Sequence, residues 1–165
     1  MRDVDESVAF YTEVLGFQPL DMLPEGFRGA AFLRAPGSTN DHDLALFEVG
    51  ADAAPSQAGR GSVGLYHLAW EVDTLDELER LARALADRGA LGGSSDHSTT
   101  KSLYGRDPNG LEFEIAWVVP ADQLDDEALA GRSSIKPLDI AKEKDRYGAT
   151  TRGGIGISAP VGGAT

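Results

Sequence analysis

The chain has no cysteine in its 165 residues, which excludes disulfides and thiolate metal ligands and leaves only nitrogen and oxygen donors for any bound metal. Histidine is scarce too, with three copies at His42, His67 and His97. No apolar run approaches the roughly 20 residues that a membrane-spanning helix needs. Arg2, Asp3 and Asp5 follow Met1 where a secretory signal would place apolar residues, so a cytoplasmic location is expected. Positive charge is short as well: 15 Lys and Arg stand against 27 Asp and Glu, a formal net charge of −12. With no basic cluster to offset it, such a surface repels phosphate backbones, and nucleic acid is not an expected partner. No Ser-His-Asp or Cys-His constellation is present. What remains is ordinary for a folded protein, with 41% hydrophobic and 25% charged residues in a length that suits one domain or two small modules sharing a core.

Two segments carry helical periodicity. The first runs from Asp5 to Leu15, with Asp5 as its cap, Val8, Tyr11, Val14 and Leu15 as its apolar stripe, and Gly16 as its stop. The second runs from Thr74 to Asp87, with Thr74 as cap, Glu77 at the third helical position, Leu75, Leu78, Leu81, Ala82 and Leu85 as its stripe, and Gly89 beyond it. Each helix is followed by three strand-like segments divided by turn residues. After the first these are Phe17–Leu23, Phe27–Ala35 and Asp43–Val49. After the second they are Ala90–Gly93, Lys101–Arg106 and Leu111–Val118, the last two split by the turn Asp107-Pro108-Asn109-Gly110.

The halves therefore repeat. Val4-Asp5 before the first helix corresponds to Val72-Asp73 before the second at an offset of 68, and Asn40 corresponds to Asn109 at an offset of 69. The expected fold class is α+β, built from paired βαβββ modules, each too small to bury its sheet alone. Residues 1–50 form the first module, 51–63 a loose connecting loop, 64–119 the second module, and 120–165 a C-terminal tail with short helices near Ala121–Leu129 and Asp139–Tyr147. A strand, Leu65–Asp73, precedes the second helix. Its counterpart in the first module would lie before Met1, so the first module lacks its first strand, and a start shortened relative to the natural one is expected. Ile155–Val161 is a candidate to fill the vacancy, within a segment, Gly148 to Thr165, that reads as flexible.

Two residues stand out chemically. His67 lies mid-strand in Gly64-Leu65-Tyr66-His67-Leu68-Ala69-Trp70, and Glu114 lies mid-strand in Leu111-Glu112-Phe113-Glu114-Ile115-Ala116-Trp117. A single strand histidine is usually a hydrogen-bonded core residue. An imidazole and a carboxylate on the first and last strands of one module are a different matter, because those strands can be neighbours and buried polar groups need partners. The glycine-rich stretch Gly59-Arg60-Gly61-Ser62-Val63-Gly64 precedes a strand and not a helix, which argues against a nucleotide cradle. Arg28, Arg34 and Lys101 read as surface charges.

Gly64-Leu65-Tyr66-His67-Leu68-Ala69 resembles the opening strand of the second module of the vicinal oxygen chelate (glyoxalase/bleomycin resistance protein/extradiol dioxygenase) superfamily. Asp96-His97-Ser98-Thr99-Thr100-Lys101-Ser102-Leu103-Tyr104, then Asp107-Pro108-Asn109-Gly110 and Leu111-Glu112-Phe113-Glu114, resembles the closing half of its catechol 2,3-dioxygenase-like members. The resemblance covers residues 2 to 119 and implies mixed sheets curled around a metal pocket. It implies that His67 and Glu114 are metal ligands, the third ligand being a histidine on the strand that the first module lacks. Tyr104 matches an active-site tyrosine that hydrogen-bonds substrate oxygens. His42, in Asp41-His42-Asp43-Leu44-Ala45-Leu46, resembles an acid/base histidine, a role suited to a side chain that changes charge near neutral pH. His97 is placed at the pocket entrance, or equally as a solvated loop residue capping a turn. Ala45 stands where glyoxalase I-like members carry a ligating Glu, and alanine cannot ligate.

What survives is two His and one carboxylate with open positions, suited to Fe(II) and O2, with Mn(II) or another divalent metal as alternatives. The resemblance implies a homodimeric extradiol dioxygenase acting on a small aromatic diol and O2. Two other readings stay open: another metalloenzyme on the scaffold (a glyoxalase-like lyase, epimerase or thiol transferase), and a non-catalytic ligand-binding protein of the bleomycin-resistance kind.

Overall fold

In the computed structural model, which describes residues 1–58 and 61–154, the first helix is capped two residues earlier than expected. Asp3 is the cap: its backbone is extended and its carboxylate accepts the Glu6 N–H, while Asp5 sits in the first turn, where its charge complements the helix dipole. The helix, α1, spans Val4–Leu15. Its buried face is Val4, Ser7, Phe10, Tyr11, Val14 and Leu15, so Val4 and Phe10 join the stripe and Val8 lies at its margin. Gly16 closes it at φ 76°, with Gly16 N–H on the Thr12 carbonyl and Phe17 N–H on the Tyr11 carbonyl.

That closure takes up the Phe17 N–H, and the next strand is shorter than its composition suggests. β1 is Gln18–Leu20, β2 Ala30–Arg34 and β3 Leu44–Phe47. They form an antiparallel sheet in chain order, with Leu20 opposite Phe32 and Phe32 opposite Ala45. Asp43 does not extend β3 at its start. Its carboxylate takes hydrogen bonds from Ala35 N–H, the Ser38 hydroxyl and the Asn40 amide, which tie the turn together. Burial opposes ionisation of Asp43, but these donors hold its carboxyl below the ordinary value.

The chain divides into two compact units. The first is Met1–Tyr66 with Arg106–Glu112, and the second is His67–Gly105 with Phe113 onward. The Asp107-Pro108-Asn109-Gly110 turn thus belongs with α1. Asp107 is 5% exposed; one carboxylate oxygen takes the N–H groups of Asn109 and Leu111, both at 2.9 Å, and the other faces the Tyr11 hydroxyl at 3.4 Å. Asn109 completes the turn by taking the Arg2 N–H and donating to Ser7. Burial pushes the Asp107 carboxyl up, and burial together with the Asp107 charge pushes the Tyr11 phenol well above its ordinary range. Asp107→Ala is expected to cost about 1–3 kcal/mol in urea unfolding, because it orphans two backbone donors. Asp107→Asn, which keeps an acceptor, should cost less, and an alanine variant as stable as the parent would refute this account of the turn.

In the second unit β4 (His67–Glu71) precedes α2 (Leu75–Asp87), and β5 (Leu91–Asp96), β6 (Thr100–Arg106) and β7 (Glu112–Val118) follow. Thr74 caps α2 through the Glu77 N–H at 3.2 Å, as its sequence predicts. Burying Leu75, Leu78, Leu81 and Leu85 contributes about 2 kcal/mol each against about 1 for the cap, so packing dominates. β5 runs on through Ser94, Ser95 and Asp96, a stretch that reads as loop, because these residues pair with Leu103, Ser102 and Lys101 past an irregularity at Gly92. The sheet order is β4-β7-β6-β5. Among the described residues the first sheet has three strands and the second four, matching the α+β expectation with one strand fewer in the first module.

Residues after Pro120 are more than a tail. A 3₁₀ turn (Ala121–Gln123) leads to α3 (Asp126–Gly131) and α4 (Ile140–Tyr147), each α-helix capped by the preceding aspartate. Tyr147 packs on Trp117 with ring centroids 5.5 Å apart, and the Trp117 indole N–H reaches the Thr151 carbonyl. Gly153 and Gly154 donate to the Asp73 and Val118 carbonyls, so residues 148–154, which read as flexible, are tied to the second unit. The candidate strand Ile155–Val161 lies outside the described residues. Among those described, no helix is long and apolar enough to cross a membrane.

Candidate metal and substrate site

The strand order settles which residues meet. β4 and β7 are neighbours, so the first and last strands of the second module lie side by side. On β7 the apolar phase Phe113, Ile115 and Trp117 is buried to 2% exposure or less, which turns Glu114 to the opposite face. On β4 the same alternation puts His67 with Ala69 and apart from Leu68 and Trp70. The outcome is one close pair: His67 Nε2 lies 3.2 Å from Glu114 Oε2, with the side chains 31% and 16% exposed.

Tyr104 enters from β6, the strand on the other side of β7. Its ring stands edge-on to His67, centroids 6.3 Å apart. The Tyr104 hydroxyl is 2.9 Å from His97 Nε2, and His97 Nδ1 is 3.3 Å from the Ser134 carbonyl oxygen. His97 sits in the tight β5–β6 connection, where its N–H bonds the Thr100 carbonyl. Both ring nitrogens of this half-buried residue thus lie within hydrogen-bond distance of protein oxygens. Ser102 shares the Tyr104 phase of β6; it is fully buried, and its hydroxyl has no hydrogen-bond partner among the described residues. His67, Glu114, Tyr104 and His97 are thus drawn together within the second unit.

His42 lies in the first unit, in the turn before β3. Its ring stands edge-on to Phe32 with centroids 5.0 Å apart, and Nδ1 is 3.7 Å from Asp41. Ala45 is on β3 opposite Phe32, with a side chain that offers no ligand.

The donor chemistry suits a divalent cation. An imidazole nitrogen and a carboxylate oxygen converge within hydrogen-bond distance, half-shielded from water, in a chain without sulfur ligands from cysteine. Among the described residues no group of three His, Cys, Asp or Glu side chains gathers at one point, so these two are the protein donors on hand.

Lys101 overturns the surface-charge expectation. It is 1% exposed, with Nζ 2.5 Å from Asp96 Oδ1, 2.9 Å from Glu143 Oε2 and 5.5 Å from the Tyr147 ring centre. Glu143 and Tyr147, four apart on α4, supply the other side.

Comparison with known proteins bears on the family and the fold. A family model described as Glyoxalase/Bleomycin resistance protein/Dioxygenase superfamily matches residues 1–115. The chain is 30% identical over 115 residues to a protein of Bacillus subtilis (strain 168) named Catechol-2,3-dioxygenase, covering 70% of this chain and 38% of that protein. The chain thus spans well under half the length of that curated relative. Among solved structures, a glyoxylase/bleomycin resistance protein/dioxygenase domain from Frankia sp. EAN1pec superposes with a TM-score of 0.57 at 25% identity, covering 70% of this chain and 84% of that one. A glyoxalase/dioxygenase from Nostoc punctiforme has the same TM-score and coverage at 23% identity and shares the fold. With its two sheets and a family match over residues 1–115, the chain belongs to the glyoxalase/bleomycin resistance protein/dioxygenase superfamily.

Proposed function

We propose that the protein is a metal-dependent dioxygenase of the extradiol type, which cleaves the ring of a small aromatic diol with O2. The observation that carries this reading is the His67–Glu114 pair at 3.2 Å with Tyr104 beside it. The relative named Catechol-2,3-dioxygenase supports the same reaction class. His67 and Glu114 would hold Fe(II), or Mn(II) or another divalent metal in its place. When bound, that metal supplies the electron path between diol and O2. Tyr104 presents its hydroxyl to the substrate oxygens, and His42 is assigned the proton transfers at the substrate hydroxyl. Glu114 and His67 are partly shielded, with side chains 16% and 31% exposed, which reduces the competition of bulk water for the two donors.

The test is anaerobic loading of the purified protein with Fe(II), then catechol and air. Ring cleavage gives a coloured product and consumes O2 one for one with the diol. A protein that takes up metal without consuming O2 belongs with the other metalloenzymes of this superfamily, and one that takes up none belongs with its ligand-binding members. His42→Ala is expected to keep the metal and lose about 100-fold or more in turnover. Unchanged turnover would remove His42 from the reaction.

A further inference from the structure

The stretch matched by the family model ends at residue 115, yet one bond into the site comes from beyond it. The Ser134 carbonyl oxygen is 3.3 Å from His97 Nδ1, and the Tyr104 hydroxyl is 2.9 Å from Nε2 of the same ring. A carbonyl can only accept, so Nδ1 carries the hydrogen. In the neutral imidazole Nε2 is then left with a lone pair, and it accepts from the Tyr104 hydroxyl. The phenol hydrogen is thereby committed to His97, and the phenol oxygen turns its lone pairs outward as an acceptor. Without the Ser134 carbonyl, either ring nitrogen could bear the hydrogen and the Tyr104 bond could run either way.

The segment that carries Ser134 is fixed at several points. Asp96 and Lys136 exchange both backbone hydrogen bonds, at 2.8 and 3.0 Å. Ser134 closes a turn on Gly131 through its N–H at 2.8 Å and its hydroxyl at 2.6 Å. Gly131 itself presses on Ser98, the neighbour of His97: a Cβ at 131 would fall 2.3 Å from the Ser98 hydroxyl oxygen. Ser98 is 8% exposed and holds φ 65°, a left-handed conformation that costs a non-glycine residue energy unless its surroundings impose it. Beyond it, α4 is anchored through Glu143 to the buried Lys101 ammonium.

We infer that residues 131–136 are a positioning element of the site, in which the Ser134 carbonyl selects the Nδ1–H form of His97 and so sets the direction of the Tyr104 hydroxyl. The inference rests on the reading of Tyr104 as a substrate-facing residue, but the state of the His97 ring is measurable without it. Full-length protein labelled with ¹⁵N at histidine, free of metal and at about pH 8.5 where an ordinary imidazole is neutral, reports the form directly in long-range ¹H–¹⁵N spectra. His97→Gln assigns the signals. The expected pattern is a protonated Nδ1 and an unprotonated Nε2. Lys136→Pro, which deletes one Asp96 bridge bond, and Gly131→Val, which drives a side chain into Ser98, should each shift His97 away from the Nδ1–H form while the far-UV spectrum holds. A wild-type ring bearing its hydrogen on Nε2 overturns the inference, and this measurement needs no variant. So does a Nδ1–H form that persists when hydrogen exchange shows 131–136 released. If catechol is not cleaved but the Nδ1–H form is found, the positioning element stands and only the dioxygenase reading fails.

Discussion

Replacing Lys101 with alanine is expected to destabilise the protein by about 3–5 kcal/mol. The ammonium is 1% exposed and lies between Asp96 and Glu143, whose side chains are 16% and 6% exposed. Removing it leaves two shielded carboxylates facing each other with no counter-charge, and the desolvation already incurred by both is then uncompensated. For a domain of this size the melting temperature should fall by on the order of 10 °C. Replacing the pair with apolar residues, Lys101→Met with Glu143→Leu, should restore part of the loss, since no buried charge at 143 is then left unpaired. A single variant within about 1 kcal/mol of the parent would mean that water or a proton readily replaces the ammonium.

The same cluster has a pH signature. Burial works against ionisation of Asp96, but the Lys101 ammonium, the Ser98 N–H and the charge of Lys136 outweigh it and hold the carboxyl below its ordinary value. A carboxyl depressed in the folded state adds stability that is present above its unfolded value of about 3.9 and is lost as the pH falls through the folded value. The Lys101→Ala protein should show a shallower acid-side decline, because only the Ser98 N–H and the charge of Lys136 then hold the Asp96 carboxyl down. Urea titrations at several pH values between about 2 and 6 compare the two slopes.

Glu114→Ala is expected to abolish metal binding while leaving the fold intact. The carboxylate is one of two converging donors, and an imidazole alone, with no third His, Cys, Asp or Glu gathered beside it among the described residues, holds a divalent ion too weakly to retain it through purification. Glu114 sits on the face of β7 opposite Phe113, Ile115 and Trp117, so its loss does not touch the apolar core. Metal analysis after loading and desalting, beside far-UV spectra, gives the result. Stoichiometric metal retained by a folded Glu114→Ala protein would rule out the site as assigned.

Much of the architecture is legible in the chain because local rules decide it. The α2 leucines and the Thr74 cap state a helix and its start, and the turn residues Asp107 to Gly110 state where β6 ends. The strand patterns around His67 and Glu114 put these residues on the first and last strands of the second module. Errors of detail have local causes of another kind. Asp3 and Asp5 are equal cap candidates by type, and only the backbone angles choose Asp3. Ser94 to Asp96 reads as loop because serine and aspartate favour turns, but pairing with Leu103, Ser102 and Lys101 overrides that preference.

Local sequence by itself determined the α+β class and put His67 and Glu114 mid-strand, since alternation has a period of two, while the neighbouring of β4 and β7 that brings the two side chains together came from the sheet order. Tertiary structure alone decided which charges are buried and where the C-terminal segment goes. Lys101 becomes a core residue because α4, some 40 positions later, brings Glu143 and Tyr147 to it. His97 becomes a fixed ring because the Ser134 carbonyl, also far along the chain, supplies its second bond. Such contacts have no period and no local signature, because the sequence distance between partners is set by how the chain packs and not by any rule that operates within a few residues.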